Sequence, residues 1–185
     1  VNTLTGELFF HEPPDLDLGG PMPLYFQRYY ASNLDGSTMS SNLGNNWRHN
    51  FDWTLSRAGS QCLVINPEGR VVSFEKTGDS WVQQSGKEIL YQLFEQTDGT
   101  HTFYSPRDGR FYTFDVNGVL AKIEDGRGNA HYLFYSEYEG FFPGKLMEIS
   151  DTEDGSGRNL EFGYDSYADS RKVTRVTEYQ GSSLG

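Results

Sequence analysis

Apolar and polar residues alternate along many short stretches of this chain. Alternation with a period of two is typical of a β-strand that packs one face on a core and turns the other to solvent. No long window shows the 3.6-residue period of an amphipathic helix. We therefore predict an all-β fold with almost no helix. The sets predicted to share a face are Leu24, Phe26, Arg28 and Tyr30; Phe51, Trp53 and Leu55; Tyr112 and Phe114, opposite Phe111 and Thr113; and Leu160, Phe162 and Tyr164.

Glycine follows Asp or Asn at six places between these stretches. Such a pair is a hairpin signal, because a two-residue type I′ turn needs positive φ at both central positions. The pairs predict an antiparallel meander of short strands and hairpins that forms a curved, twisted sheet. They are Asp35-Gly36, Asp98-Gly99, Asp108-Gly109, Asn117-Gly118, Asp125-Gly126 and Asp154-Gly155.

The turn glycines also stand at a regular distance from large apolar residues. A unit at 112–134 has a looser copy at 144–165, so the repeat has a period of about 25 residues. One hairpin cannot cover its own apolar face, and the units should therefore lie side by side in a continuing sheet. Leu120 and Ile123, three apart, predict a bulge or a strand end between them. The apolar residue comes five positions after the glycine in Gly69 and Phe74, Gly109 and Phe114, Gly118 and Ile123, and Gly144 and Ile149.

The repeat divides the chain into two segments. Residues 1–58 lack it and contain four of the seven prolines, whereas residues 59–185 carry the repeating hairpins. We expect the second segment to continue the first in one sheet, because residues 51–55 form a strand pattern that can pair onward. The chain begins with Val1 and stops at Gly185, and we expect it to be an excerpt from a longer protein.

Composition narrows the class of protein. Only 36% of residues are apolar, but 15% are aromatic, which supplies the large buried area that a disordered chain lacks. The net charge of −11 argues against a nucleic-acid partner, and no apolar run is long enough to insert into a membrane. Cys62 is alone, which excludes an intrachain disulfide.

Two sets of motifs resemble a known family. The unit Tyr112-x-Phe-Asp-x-x-Gly118-x-Leu-x-x-Ile123-x-Asp-x-x-Gly-Asn129 is similar to the repeat of Rhs/YD-repeat proteins. The opening segment resembles the region that precedes those repeats, with Asn46 in place of a family glycine. Its motifs are Asn2-Thr-Leu-Thr-Gly6, Gly20-Pro-Met-Pro-Leu24, Arg28-Tyr-Tyr30 and Gly44-Asn-Asn-Trp47-Arg-His49.

The resemblance implies a structural role. Proteins of this family build a β-strand cocoon around a C-terminal effector, so we expect the N-terminal part of the shell of a secreted or surface-bound bacterial polymorphic toxin used in interbacterial competition. The implied partners are the rest of the same chain, including its effector, and a secretion-apparatus or cell-surface protein. The family's aspartyl self-cleavage motif has no match here. We therefore expect no enzyme activity, no catalytic residue and no cofactor.

Candidate metal ligands show no established spacing. His11, His49, His101 and His131 are far apart in sequence, and turn or strand positions are the expected places for them. The acidic stretch 148–157 departs from a calcium loop, because Gly155 falls at position 5 when Asp151 is taken as position 1. We predict a solvated turn there and no metal site.

The aromatic residues leave two alternatives open. Tyr25, Tyr29 and Tyr30 lie beside Arg28 in the sequence, with Trp47 and Trp53 further along. They can form a surface that binds a glycan or a protein, or they can pack the start of the shell. In the packing interpretation Arg28 is partly buried and needs a carboxylate, for which we expect Asp52. A hydrolase is a third alternative, although no nucleophile-elbow motif is present.

Overall fold

The computed structural model describes residues 6–34, 42–84, 88–137, 144–164 and 172–181, and this part of the chain is almost entirely β. The all-β prediction is therefore confirmed. No helix in these ranges is long and apolar enough to span a membrane. The strands are β1 (Phe9–His11), β2 (Leu16–Asp17), β3 (Tyr25–Phe26), β4 (Arg28–Ala31), β5 (Trp47–His49), β6 (Thr54–Ala58), β7 (Gln61–Ile65), β8 (Val71–Thr77), β9 (Ser80–Gln83), β10 (Gln92–Glu95), β11 (His101–Ser105), β12 (Arg110–Phe114), β13 (Leu120–Glu124), β14 (Ala130–Tyr135), β15 (Leu146–Ser150), β16 (Asn159–Tyr164) and β17 (Val173–Tyr179).

The strands form four antiparallel sheets, none of them closed. Two are meanders in chain order, β6 to β9 and β10 to β17. The opening segment forms two small sheets, with strand orders β1-β4-β5 and β2-β3. The expectation of one continuous sheet is therefore wrong for the described residues. The division expected after residue 58 falls at the Gly59-Ser60 turn between β6 and β7, so the four-stranded sheet runs across it.

The turns differ from the type I′ geometry expected of the Asp/Asn-Gly pairs. Asn46 is the only non-glycine residue with positive φ in the described ranges, so the residue before each glycine keeps negative φ. In the Asp115–Val119 turn the Gly118 amide donates to the Asp115 carbonyl and the Asp115 amide to the Val119 carbonyl. This is a three-residue loop that ends in a glycine bulge, a common alternative hairpin geometry. The Asp35-Gly36 pair lies outside the described residues.

Asn46 occupies a position where the backbone favours glycine. Its φ is +66°, in the left-handed region that Asn tolerates better than most residues. Its carbonyl accepts a hydrogen bond from the Ala31 amide, which connects the loop before β5 to β4. The conformation explains why Asn can stand where the resembled motif has glycine.

One continuous core joins the four-stranded and eight-stranded sheets. The four residues placed five positions after a turn glycine all belong to it: Phe74, Phe114, Ile123 and Ile149 are each at most 2% exposed. The faces predicted for residues 51–55, 111–114 and 160–164 also agree with the burial pattern. The five-residue spacing from a turn glycine therefore identifies residues of the core.

Bulges recur at every second strand pair of the eight-stranded sheet from β12 onward. One extra residue interrupts pairing between β12 and β13, between β14 and β15, and between β16 and β17. A bulge bends the strand and increases its twist, and it lets two residues three apart face the same side. Of the two alternatives predicted between Leu120 and Ile123, a bulge or a strand end, the structure has the bulge. The pairs Leu146 and Ile149, and Val173 and Val176, repeat it.

A tyrosine accompanies two of these bulges. The Tyr135 hydroxyl donates to the Leu120 carbonyl at 2.8 Å, and the Tyr164 hydroxyl donates to the Leu146 carbonyl at 2.7 Å. Each bond satisfies a backbone carbonyl at the bulged end of a strand pair, where the regular ladder of hydrogen bonds is interrupted. Phe114 holds the equivalent place in the first unit but has no hydroxyl.

Two contacts join the large sheets to each other. The Leu55 amide donates to the Gly118 carbonyl at 3.0 Å, and a Cβ on Gly118 would lie 1.9 Å from the Leu55 oxygen. In the second contact Glu95 of β10 accepts hydrogen bonds from Arg57 of β6 and Lys76 of β8, at 2.7 and 2.6 Å. Because these bonds favour the ionised carboxylate, they lower the pKa of Glu95 to about 2.

The opening segment is attached to the eight-stranded sheet by side chains. The ring of His131 in β14 hydrogen-bonds the Met22 carbonyl at 3.2 Å, and the Arg158 guanidinium donates to the Leu18 carbonyl at 3.0 Å. Leu24 and Phe26 pack in the same core as the large sheets. The short strands of the opening segment therefore cover one side of the meander.

Candidate functional site

The aromatic residues predicted as one cluster separate onto two surfaces. Tyr30 and Trp47 lie on the outside of the three-stranded sheet, whereas Tyr25, Tyr29 and Trp53 line an internal cleft. The predicted shared face of residues 24–30 is wrong beyond Phe26. Gln27 lies between β3 and β4, and the burial pattern changes phase there, because the two strands belong to different sheets.

Three rings form what we call the aromatic ladder, which consists of Phe10, Tyr30 and Trp47. Phe10 pairs with Tyr30 across β1 and β4, and Tyr30 pairs with Trp47 across β4 and β5. The ring centroids are 5.2 to 5.6 Å apart, and Phe10 is 38% exposed. The Arg28 guanidinium lies 5.4 Å from the Trp47 ring. The ladder is thus a partly exposed apolar surface with a cation at its edge.

Arg28 pairs with a different carboxylate from the one expected. Its Nε and Nη2 donate to the two oxygens of Asp15, both at 2.8 Å. The expected partner, Asp52, instead accepts from the His49 amide at 2.8 Å and lies 3.1 Å from His49 Nε2. Arg28 is partly buried, as the packing interpretation expected, with 39% of its side chain exposed.

The cleft has a volume of about 350 Å³ and lies where all four sheets meet. Its walls include the turn between β7 and β8, the turn between β11 and β12, and residues of β3 and β4. Trp53 stacks on Tyr112 with centroids 4.1 Å apart, and Tyr91 stacks on Phe103 at 5.4 Å. The aromatic rings form the apolar part of the cleft, and its size suits a small ligand.

Four arginines line this cleft, although the chain as a whole carries a net charge of −11. Arg28 is paired with Asp15. The guanidinium groups of Arg70, Arg107 and Arg110 make no hydrogen bond or ion pair with any residue that the structure describes, and their positive charges remain available to a ligand.

Two carboxylates of the cleft already have partners. Glu68 lies 3.7 Å from the ring of His11, and Asp108 accepts a hydrogen bond from the Tyr112 hydroxyl. Burial and the Asp108 charge raise the pKa of Tyr112, which keeps its hydroxyl protonated and able to donate. The cleft lining thus holds four arginines against two carboxylates, so its balance of formal charge is cationic.

The four histidines occupy strands, as expected, and three of them are buried. Burial lowers the pKa of His49, His101 and His131, to about 4 for His131. The Cys62 thiol is also buried, which raises its pKa to about 11 and favours the protonated form. Among the described residues no group of three potential ligands is placed to hold a metal ion.

The acidic stretch at 148–157 forms a turn bonded within itself. Arg158 Nη2 donates to Asp151 at 2.6 Å, and Asp154 accepts from the amide and hydroxyl of Ser156. Glu148 differs, because burial raises its pKa. The carboxylates of Asp151 and Asp154 are thus used to hold the turn and its contact with the opening segment.

Sequence reasoning missed the arginines of the cleft. Arg70, Arg107 and Arg110 lie on two hairpins of different sheets, and no spacing in the sequence connects them. One local signal was available, since Arg107 and Arg110 flank the Asp108-Gly109 turn. Two cations beside one turn show that positive charge is concentrated there. They do not show which other part of the chain lies opposite that turn in the fold.

Comparison with models of protein families gives a match to the first part of the chain. Residues 1–74 are similar to a family whose model is described as "Domain of unknown function (DUF6531)". The matched residues run from the opening segment into β8 and include the aromatic ladder. No curated protein matches the chain. The chain is therefore similar over its first 74 residues to a family without an assigned function.

Proposed function

We propose that this chain is a structural module, the N-terminal part of the β-cocoon of a secreted Rhs/YD-repeat toxin that encloses a C-terminal effector. One observation carries this: the last strand of the meander repeats the apolar pattern of the earlier strands without burying it as fully. Leu120, Ile123, Leu146 and Ile149 are at most 3% exposed, whereas Val173 and Val176 of β17 are only partly buried.

The backbone of β17 supports the same proposal. In the described residues β17 pairs with β16 alone, so no second strand bonds its backbone, although the Val173 amide donates to the Asn42 carbonyl at 2.6 Å. An open strand edge beside unfilled apolar surface is the place where a further hairpin adds with the least rearrangement. The regular bulges bend each added pair in the same way, as a curved wall requires.

The resemblance of the repeat unit agrees with its structural roles. Tyr112, Phe114, Leu120 and Ile123 are core residues, and Asp115 and Asp125 accept amide bonds within their own turns. The match of residues 1–74 to a domain family includes residues 1–58, the segment that resembles the region before the repeats. No catalysis is assigned to these residues.

The test uses the full gene product rather than this segment alone. Limited proteolysis should leave its C-terminal region intact while the shell is folded, and electron microscopy should show a hollow particle. Replacing both Val173 and Val176 by Asp should expose the C-terminal region, because two charges would stand where the next hairpin packs. A control is Val116→Asp, in a turn where the side chain is 66% exposed, and it should change nothing.

The shell proposal fails if the C-terminal region of the wild-type product is cleaved as fast as that of the double variant. It also fails if the particles are solid or if the gene product has no region beyond these strands. In that case the second candidate function becomes the better one.

The second candidate is a surface-displayed module that binds a glycan or a protein through the aromatic ladder. The observation that favours it is the partial exposure of Phe10, Tyr30 and Trp47 on one small sheet. Binding of the isolated chain to glycan arrays or cells, lost in Trp47→Ala without loss of folding, supports this function. A control is Phe94→Ala on the edge strand β10, where the ring is 46% exposed but far from the ladder in sequence.

A further inference from the structure

We propose that the cleft between the four sheets binds a saccharide that carries a carboxylate group, such as a uronic-acid unit. This goes beyond the shell function and does not depend on it, because all residues involved belong to the described chain. Arg70, Arg107 and Arg110 would hold the carboxylate, and the aromatic side chains would hold the sugar ring.

The cleft concentrates positive charge. Three guanidinium groups with no carboxylate partner among the described residues line it, in a chain that carries 26 acidic and 15 basic residues. Acidic side chains are plentiful elsewhere, so leaving these cations unpaired favours an external anion. A planar guanidinium binds a carboxylate through two parallel hydrogen bonds, which makes arginine the usual partner for such a group.

The aromatic lining suits the rest of the ligand. Trp53 and Tyr91 are only partly buried and give the cleft flat apolar surface, with the buried rings of Tyr112 and Phe103 stacked behind them. The CH-bearing face of a pyranose ring packs well on such a surface, while tyrosine hydroxyls of the cleft lining are suited to its hydroxyl groups. A simple inorganic anion would use the arginines and leave the aromatic surface empty.

The backbone around the cleft favours a sugar ligand over a peptide ligand. An extended peptide is usually bound by adding to the free edge of a strand. The strands β7, β8, β11 and β12, which line the cleft, each have hydrogen-bonded neighbours on both sides. The carbonyl of Tyr25 also accepts a bond from Asn50 at 3.0 Å. Few backbone groups are therefore free to hold a peptide, and a compact ligand fits better within about 350 Å³.

The experiment titrates the purified chain with digalacturonate and follows both tryptophan fluorescence and heat release. Trp53 lines the cleft, so its emission should change on binding. Galactobiose, the neutral counterpart, should bind at least tenfold more weakly, and affinity for digalacturonate should fall as salt is raised. The double variant Arg107→Gln and Arg110→Gln should also bind at least tenfold more weakly while its thermal unfolding is unchanged.

Arg127→Gln is the matched control, because Arg127 is exposed in another hairpin turn and does not line the cleft. It should bind as the wild type does. The proposal is overturned if digalacturonate does not bind. It is also overturned if the double variant binds as tightly as Arg127→Gln, or if galactobiose binds as tightly as digalacturonate. Equal binding of inorganic sulfate, or preferential binding of a Glu-Tyr-Glu peptide, also overturns the assignment to an acidic sugar.

Discussion

The two meanders, β6 to β9 and β10 to β17, are built differently from the opening strands β1 to β5. From β6 onward each strand of the two large sheets pairs with its neighbours in sequence, and the turns between them are made by local hydrogen bonds. In the opening segment β1 pairs with β4 across an intervening hairpin, and its strands are only two to four residues long. The opening segment therefore depends more on contacts with distant parts of the chain.

This difference determines where single substitutions should act. In the meander a turn residue acts mainly on its own hairpin, unless the turn also contacts another sheet. In the opening segment the side chains that contact the meander matter more than surface ion pairs. Four substitutions test that contrast.

Gly118→Ala should have the largest effect, because this meander turn also contacts the four-stranded sheet. Its φ is +80° and a Cβ would lie 1.9 Å from the Leu55 oxygen, so the backbone must move. We expect a loss of about 3–5 kcal/mol in the free energy of unfolding, measured by urea titration. Gly109→Ala is the control, with φ at +67° and no atom within 4 Å of the added Cβ, and should cost about 1–2 kcal/mol. Equal losses would contradict the role of the sheet contact.

His131 tests the attachment of the opening segment through pH. Its pKa falls from 6.5 to about 4 on folding, so the unfolded chain binds the proton more readily. The stabilisation is fully present above pH 6.5 and is lost as pH falls toward 4, by about 3 kcal/mol for this group. In His131→Gln the loss between pH 7 and 4.5 should be smaller by about 2 kcal/mol, since pH 4.5 is still above the folded pKa.

The exposed His11 provides the control for that measurement, and His11→Gln should keep the full pH dependence. His49 and His101 also have lowered pKa values, so part of the dependence should remain in His131→Gln. An unchanged pH profile in that variant would show that folding does not bury the His131 ring, because burial is what lowers its pKa.

Asp125→Ala should act within one hairpin of the meander. The carboxylate accepts bonds from the amides of Arg127 and Asn129 and from the Asn129 side chain, at 2.8, 3.2 and 2.7 Å. We expect a small but measurable loss of stability in thermal or urea unfolding, because three hydrogen bonds of the turn are removed. Asp79→Ala, in an exposed turn where no side-chain bond is formed, should be neutral. A neutral Asp125→Ala would show that the backbone alone forms the turn.

Arg28→Met should have the smallest effect. The ion pair with Asp15 is bidentate but lies at the surface, where such pairs contribute less than about 1 kcal/mol. A double-mutant cycle should find coupling between Arg28 and Asp15 and none between Arg28 and Asp52. Coupling to Asp52 would restore the partner expected from the sequence.

The sequence predicted the meander well because its signals are local. Turn glycines, the alternation at 111–114 and the spacing of Leu120 and Ile123 each depend on a few adjacent residues. The same signals did not reveal turn type, since glycine marks positive φ in both a type I′ turn and a glycine bulge. The partner of Arg28 was mispredicted because Asp15 and Asp52 are both acidic, and only the pairing of the small sheets decides between them.

The cleft could not be predicted in this way. Arg70 and Arg107 lie on separate hairpins, and they come together only when the core forms between two sheets. The division of the predicted aromatic cluster has a similar cause, since the change of phase at Gln27 follows from β3 and β4 joining different sheets.

The chain order of the strands bears on how fast the protein folds and which part folds first. Contacts between sequence neighbours close only short loops, so the meander has a low contact order for a β protein. Its hairpins can form one after another along the chain, much as repeats do. The opening segment, whose strands need partners further away, should gain protection from hydrogen exchange only after the meander has folded and presented its core.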